Sequence, residues 1–104
     1  MKRLNALFNF VNDRLFGSEL DMPYIMVFDD DLFDDQDSIH GYQVDGLCFP
    51  HEGDYVIAIH KDAKKLDIMI HEMIHLWQMQ NHKYAGHEGW FRVWCDKAYE
   101  EFYR

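Results

Sequence analysis

The chain has 104 residues, 48% of them hydrophobic and 16% aromatic, which is core material for one domain and argues against a disordered chain. Its formal net charge of −9 argues against direct binding to DNA, whose phosphates would repel it. No window approaches the ~18 consecutive apolar residues of a membrane span, and two cysteines, Cys48 and Cys95, are too few for a disulfide framework.

Met1-Lys2-Arg3 has the charge of a signal n-region, but Asn5, Asn9, Asn12 and Asp13 interrupt any apolar h-region. The expectation is a cytoplasmic protein whose two cysteines are reduced thiols. Residues 3–16 carry Leu4, Leu7, Phe8, Val11 and Leu15 at helical spacing, with Gly17 as a stop. Tyr24-Ile25-Met26-Val27-Phe28, after Met22-Pro23, has the length and composition of a strand.

The run Asp29-Asp30-Asp31-Leu32-Phe33-Asp34-Asp35-Gln36-Asp37 invites a calcium reading, but the glycine of an EF-hand loop, if taken as Gly41, would put Gln36 at its first position. It reads instead as a solvated acidic loop. Gly41 to Phe49 alternates loosely, His51-Glu52-Gly53-Asp54 has turn composition, and Tyr55-Val56-Ile57-Ala58-Ile59-His60 is strongly β-prone, so the pair predicts an antiparallel hairpin. A helix capped by Asp62 and running to about Gln80 follows, and after a loop ending at Gly89 a last helix carries Phe91, Val93, Trp94, Ala98 and Phe102. The fold expected is α+β over residues 1–104: an N-terminal helix, a small antiparallel three-stranded sheet and two further helices. Trp77, Trp90 and Trp94 are expected in the core between those last two helices.

The first of these two helices contains His71-Glu72-Met73-Ile74-His75, an H-E-x-x-H sequence. Residues four apart sit one turn apart on one face, so both imidazoles can reach a single metal ion. Glu72 lies about 100° round the helix, where it can meet a water on that metal without being a ligand. Leu66, Met69, Ile70, Met73, Ile74 and Trp77 form an apolar arc roughly opposite, which leaves one face for a core and one for a site.

A catalytic zinc has three protein ligands and an open position. His82 is seven residues past His75, on the order of 10 Å along the axis, too far to share its metal. The extended motif H-E-x-x-H-x-x-G-x-x-H would need glycine at 78 and histidine at 81, where this chain has Gln78 and Asn81. His87, beyond a turn marked by Gly86, is the third ligand this spacing favours, with Glu100 or Glu101 as the alternative. His51 and His60 flank the second hairpin strand and read as surface or hydrogen-bonded positions.

The run from Cys48 to Asp96 resembles the SprT-like (Spartan-type) metallopeptidases: a short hairpin, a helix with His-Glu-Met-Ile-His, an asparagine-containing loop, then Gly86-His87-Glu88-Gly89-Trp90-Phe91. The last segment resembles that family's Gly-His-Gly-Pro-Glu-Phe, with Glu88-Gly89-Trp90 departing from it. The resemblance implies a compact zincin-like fold, one Zn²⁺ held by His71, His75 and His87, and Glu72 as general base. It also implies hydrolysis of peptide bonds in protein substrates and leaves open a DNA-associated setting reached through a partner. The sequence stops at Arg104, so neither the cysteine-rich zinc ribbon of bacterial members nor the DNA-, ubiquitin- and clamp-binding tails of eukaryotic repair proteases is expected. A substrate strand is expected to add at the sheet edge, at Tyr55–Ile59, and Tyr84 is a candidate to assist the oxyanion. Two other readings stand beside the protease: a zinc-bearing binding or inhibitory module, and a zinc amidase.

Overall fold

The computed structural model describes residues 2–29 and 45–104. Helix α1 (Lys2–Phe16) is followed by strands β1 (Tyr24–Phe28), β2 (Gly46–His51) and β3 (Asp54–His60), and then by helices α2 (Lys65–Gln80) and α3 (Trp90–Ala98). The chain closes with a π-helical turn, Tyr99–Tyr103. Among the described residues the architecture is α+β, with three α-helices and a small three-stranded sheet.

Helix α1 buries Leu4, Phe8 and Val11, the stripe its periodicity calls for. Gly17 and Ser18 both take positive φ (61° and 62°) and end it. The buried Asn12 then fastens the returning chain with both ends of its amide: Nδ2 donates to the Leu20 carbonyl (3.0 Å), and Oδ1 accepts from the Leu20 N–H (3.1 Å). A buried amide satisfied at both ends costs little and locks the approach to β1.

The sheet is mixed, in the order β1-β3-β2, which corrects the antiparallel expectation. β2 and β3 form the anticipated hairpin, turning through Glu52 and Gly53, both at positive φ as two-residue hairpin turns require. β1 runs parallel to β3, Tyr24 opposite Val56 through Phe28 opposite His60. The reason lies in the register. Val27 and Gly46 both stand level with Ile59, on opposite sides of it. The chain thus leaves β1 and enters β2 at one end of the sheet, across β3. The hairpin has inserted its second strand between β1 and β2.

β3 is therefore the central strand, buried from Val56 to His60, and has no open edge. The expected substrate edge at Tyr55–Ile59 is thereby overturned. The edge strands are β1 and β2, and β2 lies against α2.

Helix α2 starts at Lys65 with Lys64 as its N-cap and no side-chain cap, so Asp62 does not cap it. The Asp62 N–H instead donates to His60 Nδ1 (3.1 Å), so of the two expected readings, surface or hydrogen-bonded, His60 takes the second, and it is buried. Met69, Met73, Ile74 and Leu76 are fully buried and join Phe8, Ile57 and Ile59 in the core. Trp77 packs on both Trp90 (5.4 Å between centroids) and Trp94 (5.2 Å), and Trp94 on Phe16 (4.5 Å). Trp90 is half exposed, at the rim of this cluster rather than inside it. The acidic run from Asp30 to Asp37, and the start of the hairpin region before Asp45, lie outside the described residues.

Candidate metal centre

The polar flank of α2 presents His71 and His75 one turn apart, ring centroids 4.9 Å from each other. His87 comes to them from the loop between α2 and α3. Its Nε2 lies 3.2 Å from Nε2 of His75 and 3.4 Å from Nε2 of His71. For zinc–nitrogen bonds of about 2.05 Å, tetrahedral coordination separates ligand nitrogens by roughly 3.3 Å. The spacing fits. The three histidines lie close enough together to bind one metal ion, and among the described residues they are the only such group.

Three imidazole nitrogens facing one point are relieved by a ring N–H shared between two of them or by a cation. A proton is a poor candidate at His71: burial first, then the neighbouring His75 and His87, push its pKa down to about 4. Burial also lowers His75, partly offset by its hydrogen bond to Gln78. Both nitrogens are thus open to a metal at neutral pH, where a histidine ligand must be unprotonated.

The loop that delivers His87 is set by bonds at each end. The Asn81 side chain and N–H both donate to the Trp77 carbonyl (2.9 and 3.0 Å), and the Lys83 N–H donates to the Gln78 carbonyl (2.7 Å), closing α2. At the far end Gly89, the residue before α3, has φ 60° and ψ −118°, a conformation essentially restricted to glycine. It turns the chain so that Phe91 is buried behind the centre, 4.8–4.9 Å from all three imidazoles. Phe91 backs the whole ligand set.

Glu72 is buried, with Oε2 4.0 Å from His71 Nε2. Burial raises its carboxyl to about 7. Gly46 explains how it fits. A Cβ at Gly46 would lie 2.4 Å from Ile68 Cγ2 and 3.0 Å from Glu72 Oε2, so β2 can approach α2 this closely only with glycine there. Gly46, Leu47 and Cys48 form one wall of a cleft of about 290 Å³ that opens onto His71, Glu72, His75 and His87. Burial and the adjacent Glu72 push the Cys48 thiol up to about 12, so it lines this wall as a neutral group. Both cysteines are free thiols.

The remaining candidates stand elsewhere. Glu100 and Glu101 are exposed and face Arg104 (3.4 Å) and Arg14 (3.8 Å). His82 is exposed at positive φ just past the end of α2, and His51 is exposed beside Glu52. Tyr84 is 91% exposed and lies over Gly86 rather than lining the cleft. Gln78, noted from sequence only as a non-glycine, is buried and bonded both to His75 and to the Gly86 carbonyl. Neither it nor Gly46 carried a signal in the sequence, because each matters only once β2 and the His87 loop have packed on α2.

Comparison of the chain with protein-family models, with curated proteins and with solved structures returns no match.

Proposed function

We propose that this chain is a zinc-dependent metallopeptidase of SprT-like type. The observation that carries the reading is the convergence of three imidazoles, with His87 Nε2 at 3.2 and 3.4 Å from those of His75 and His71, and a buried carboxylate beside them. An all-imidazole tetrahedral set suits zinc better than hard cations, which prefer oxygen.

His71, His75 and His87 would hold the metal through their imidazole nitrogens. When bound, zinc supplies a Lewis acid for the scissile carbonyl and brings the pKa of water down toward about 7. Glu72 takes the proton of the attacking water and returns it to the leaving amine. Burial, which raises this carboxyl in the metal-free protein, favours its holding the proton between the two halves of that task.

The substrate is an extended peptide laid along the outer edge of β2. Among the described residues no strand pairs with that edge, and its Gly46–Cys48 segment flanks the histidines. Main-chain pairing there would hold a peptide with little dependence on its side chains.

The test is zinc content by elemental analysis, followed by peptide cleavage. One zinc per wild-type chain, lost or sharply weakened in His87→Ala, is expected. Glu72→Gln should keep the metal and lower cleavage by at least about 10²-fold, the lower end of general-base contributions. A wild type that takes up no zinc on reconstitution sinks the metal reading. Zinc without peptide cleavage leaves the binding-module reading in its place, and turnover confined to small amides leaves the amidase.

A further inference from the structure

We propose that Gln78 is a positioning residue of the histidine centre: it fixes the tautomer of His75 and, with the same amide group, holds the loop that presents His87. The inference rests on the metal-centre reading above and goes beyond its ligands and base.

The argument is one of donors and acceptors. Gln78 is 1% exposed, so its amide must find its partners inside the protein. One end lies 3.0 Å from the carbonyl oxygen of Gly86, and a carbonyl only accepts. The group facing Gly86 is therefore the NH₂. The reverse orientation would set two acceptor oxygens against each other in a buried place.

That choice fixes the other end. Gln78 Oε1 faces His75 Nδ1 at 2.8 Å, and an amide oxygen can only accept. Nδ1 of His75 must therefore carry the ring proton. A neutral imidazole protonated at Nδ1 has its lone pair on Nε2, the atom 3.2 Å from Nε2 of His87. The Gly86 carbonyl thus decides, through one side chain, which nitrogen of His75 is free for a metal.

The same two bonds tie a helix to a loop. Gln78 is one turn beyond His75 on α2, and Gly86 immediately precedes His87 in the chain. His87 itself is exposed, so its ring is not fixed by burial. The Gln78–Gly86 bond anchors the peptide from which it projects. Loss of Gln78 should therefore damage two ligands at once, by different routes: the wrong tautomer at His75 and a freed backbone at His87.

The experiment compares the wild type with Gln78→Leu and Gln78→Glu. Two readouts are taken: long-range ¹H–¹⁵N spectra of the metal-free protein, which report the proton-bearing nitrogen of each histidine, and zinc affinity by competition with a chromophoric chelator. Wild-type His75 is expected as the Nδ1–H tautomer. Gln78→Leu, close in volume, should lose that preference and bind zinc about 10- to 100-fold more weakly, the usual scale for residues that orient ligands. Gln78→Glu keeps an acceptor for Nδ1–H but sets a carboxylate oxygen against the Gly86 carbonyl. It should hold the tautomer and still lose affinity, toward the level of His87→Ala.

A wild-type His75 found as the Nε2–H tautomer overturns the proposal without any variant, even if a substitution at 78 fails to fold. A folded Gln78→Leu with wild-type zinc affinity overturns it as well. A wild type that binds no zinc removes the metal-centre reading instead, and the spectrum of the metal-free protein still decides whether Gln78 sets His75.

Discussion

His71 and His75 reach the centre from a helix whose opposite flank is core, whereas His87 reaches it from a loop that is exposed over most of residues 81–89. On the helix side, regular geometry does the positioning: two rings four residues apart must face the same way, and Met69, Met73, Ile74 and Leu76 hold the backbone that carries them. On the loop side there is no such guarantee, and a few specific features take its place: the Gln78–Gly86 bond, the backbone turn at Gly89 and the Phe91 ring behind the ligands. The difference teaches that damage to the two sides should register in different measurements. Disturbing the helix side should cost stability first, and disturbing the loop side should cost metal affinity first.

The largest effect on stability is expected from Met73→Ala, which empties a fully buried position between the two ligand-bearing turns. Truncations of this kind cost about 2–5 kcal/mol, against about 5–15 kcal/mol for a whole domain. Urea unfolding should show that loss, while zinc affinity measured well below the transition stays within a few-fold of wild type. If affinity fell as steeply as stability, the two sides would not be separable and the comparison would break.

Gly89→Ala probes the loop side and should be milder in stability. Nothing lies within 4 Å of a Cβ there, so the cost is backbone strain alone, of order 1–3 kcal/mol. Relief of that strain would shift the start of α3, and with it Phe91 and His87. Zinc affinity should then drop by roughly tenfold, the lower end of the range for groups that orient ligands. Unchanged affinity in a folded Gly89→Ala would mean that the turn does not position the site.

The same division decides what was legible in the sequence. His71, Glu72 and His75 were readable because helical periodicity is a local property, and His87 because a marked turn can return the chain within twelve residues. The stripes of α1 and α2 and the hairpin turn at Glu52-Gly53 were legible for the same reason. The partner of β1 was not. Its apolar run announces a strand, but nothing in it says that the hairpin will insert β3 between β1 and β2, so the parallel pairing and the position of the open edge were missed. Gln78 and Gly46 act only across contacts between elements distant in sequence, where composition carries no trace. Asp62 has the chemistry of a cap, yet its backbone is engaged with His60 and the helix begins three residues later, at Lys65.

The smallest effect, and the one that looks most closely at the helix side, concerns two neighbours that burial shifts in opposite directions. Burial disfavours charge, so it lowers the histidine at 71 to about 4 and raises the carboxyl at 72 to about 7. In metal-free protein the unfolded chain therefore takes up the His71 proton near pH 6.5 while the folded protein does not, and this contribution to stability is lost as pH falls from about 6.5 toward 4. Glu72 has the reverse sign. The folded protein keeps its proton up to about pH 7 while the unfolded chain releases it near 4.5, so its contribution is full below about 4.5 and is lost as pH rises through 7. Between pH 4.5 and 6.5 the two slopes oppose each other, and Glu72→Gln removes only the second. Unfolding midpoints in urea, measured for both proteins without metal from pH 4 to 8, should therefore differ in a pH-dependent way. The wild type should lose stability relative to the variant as pH rises from 4.5 to 7, and the difference should level off above that. A difference flat across this window would mean that Glu72 titrates in the folded protein as it does in the unfolded chain. The carboxyl would then be solvated rather than buried against Gly46, and its fitness to hold a proton at neutral pH would be gone.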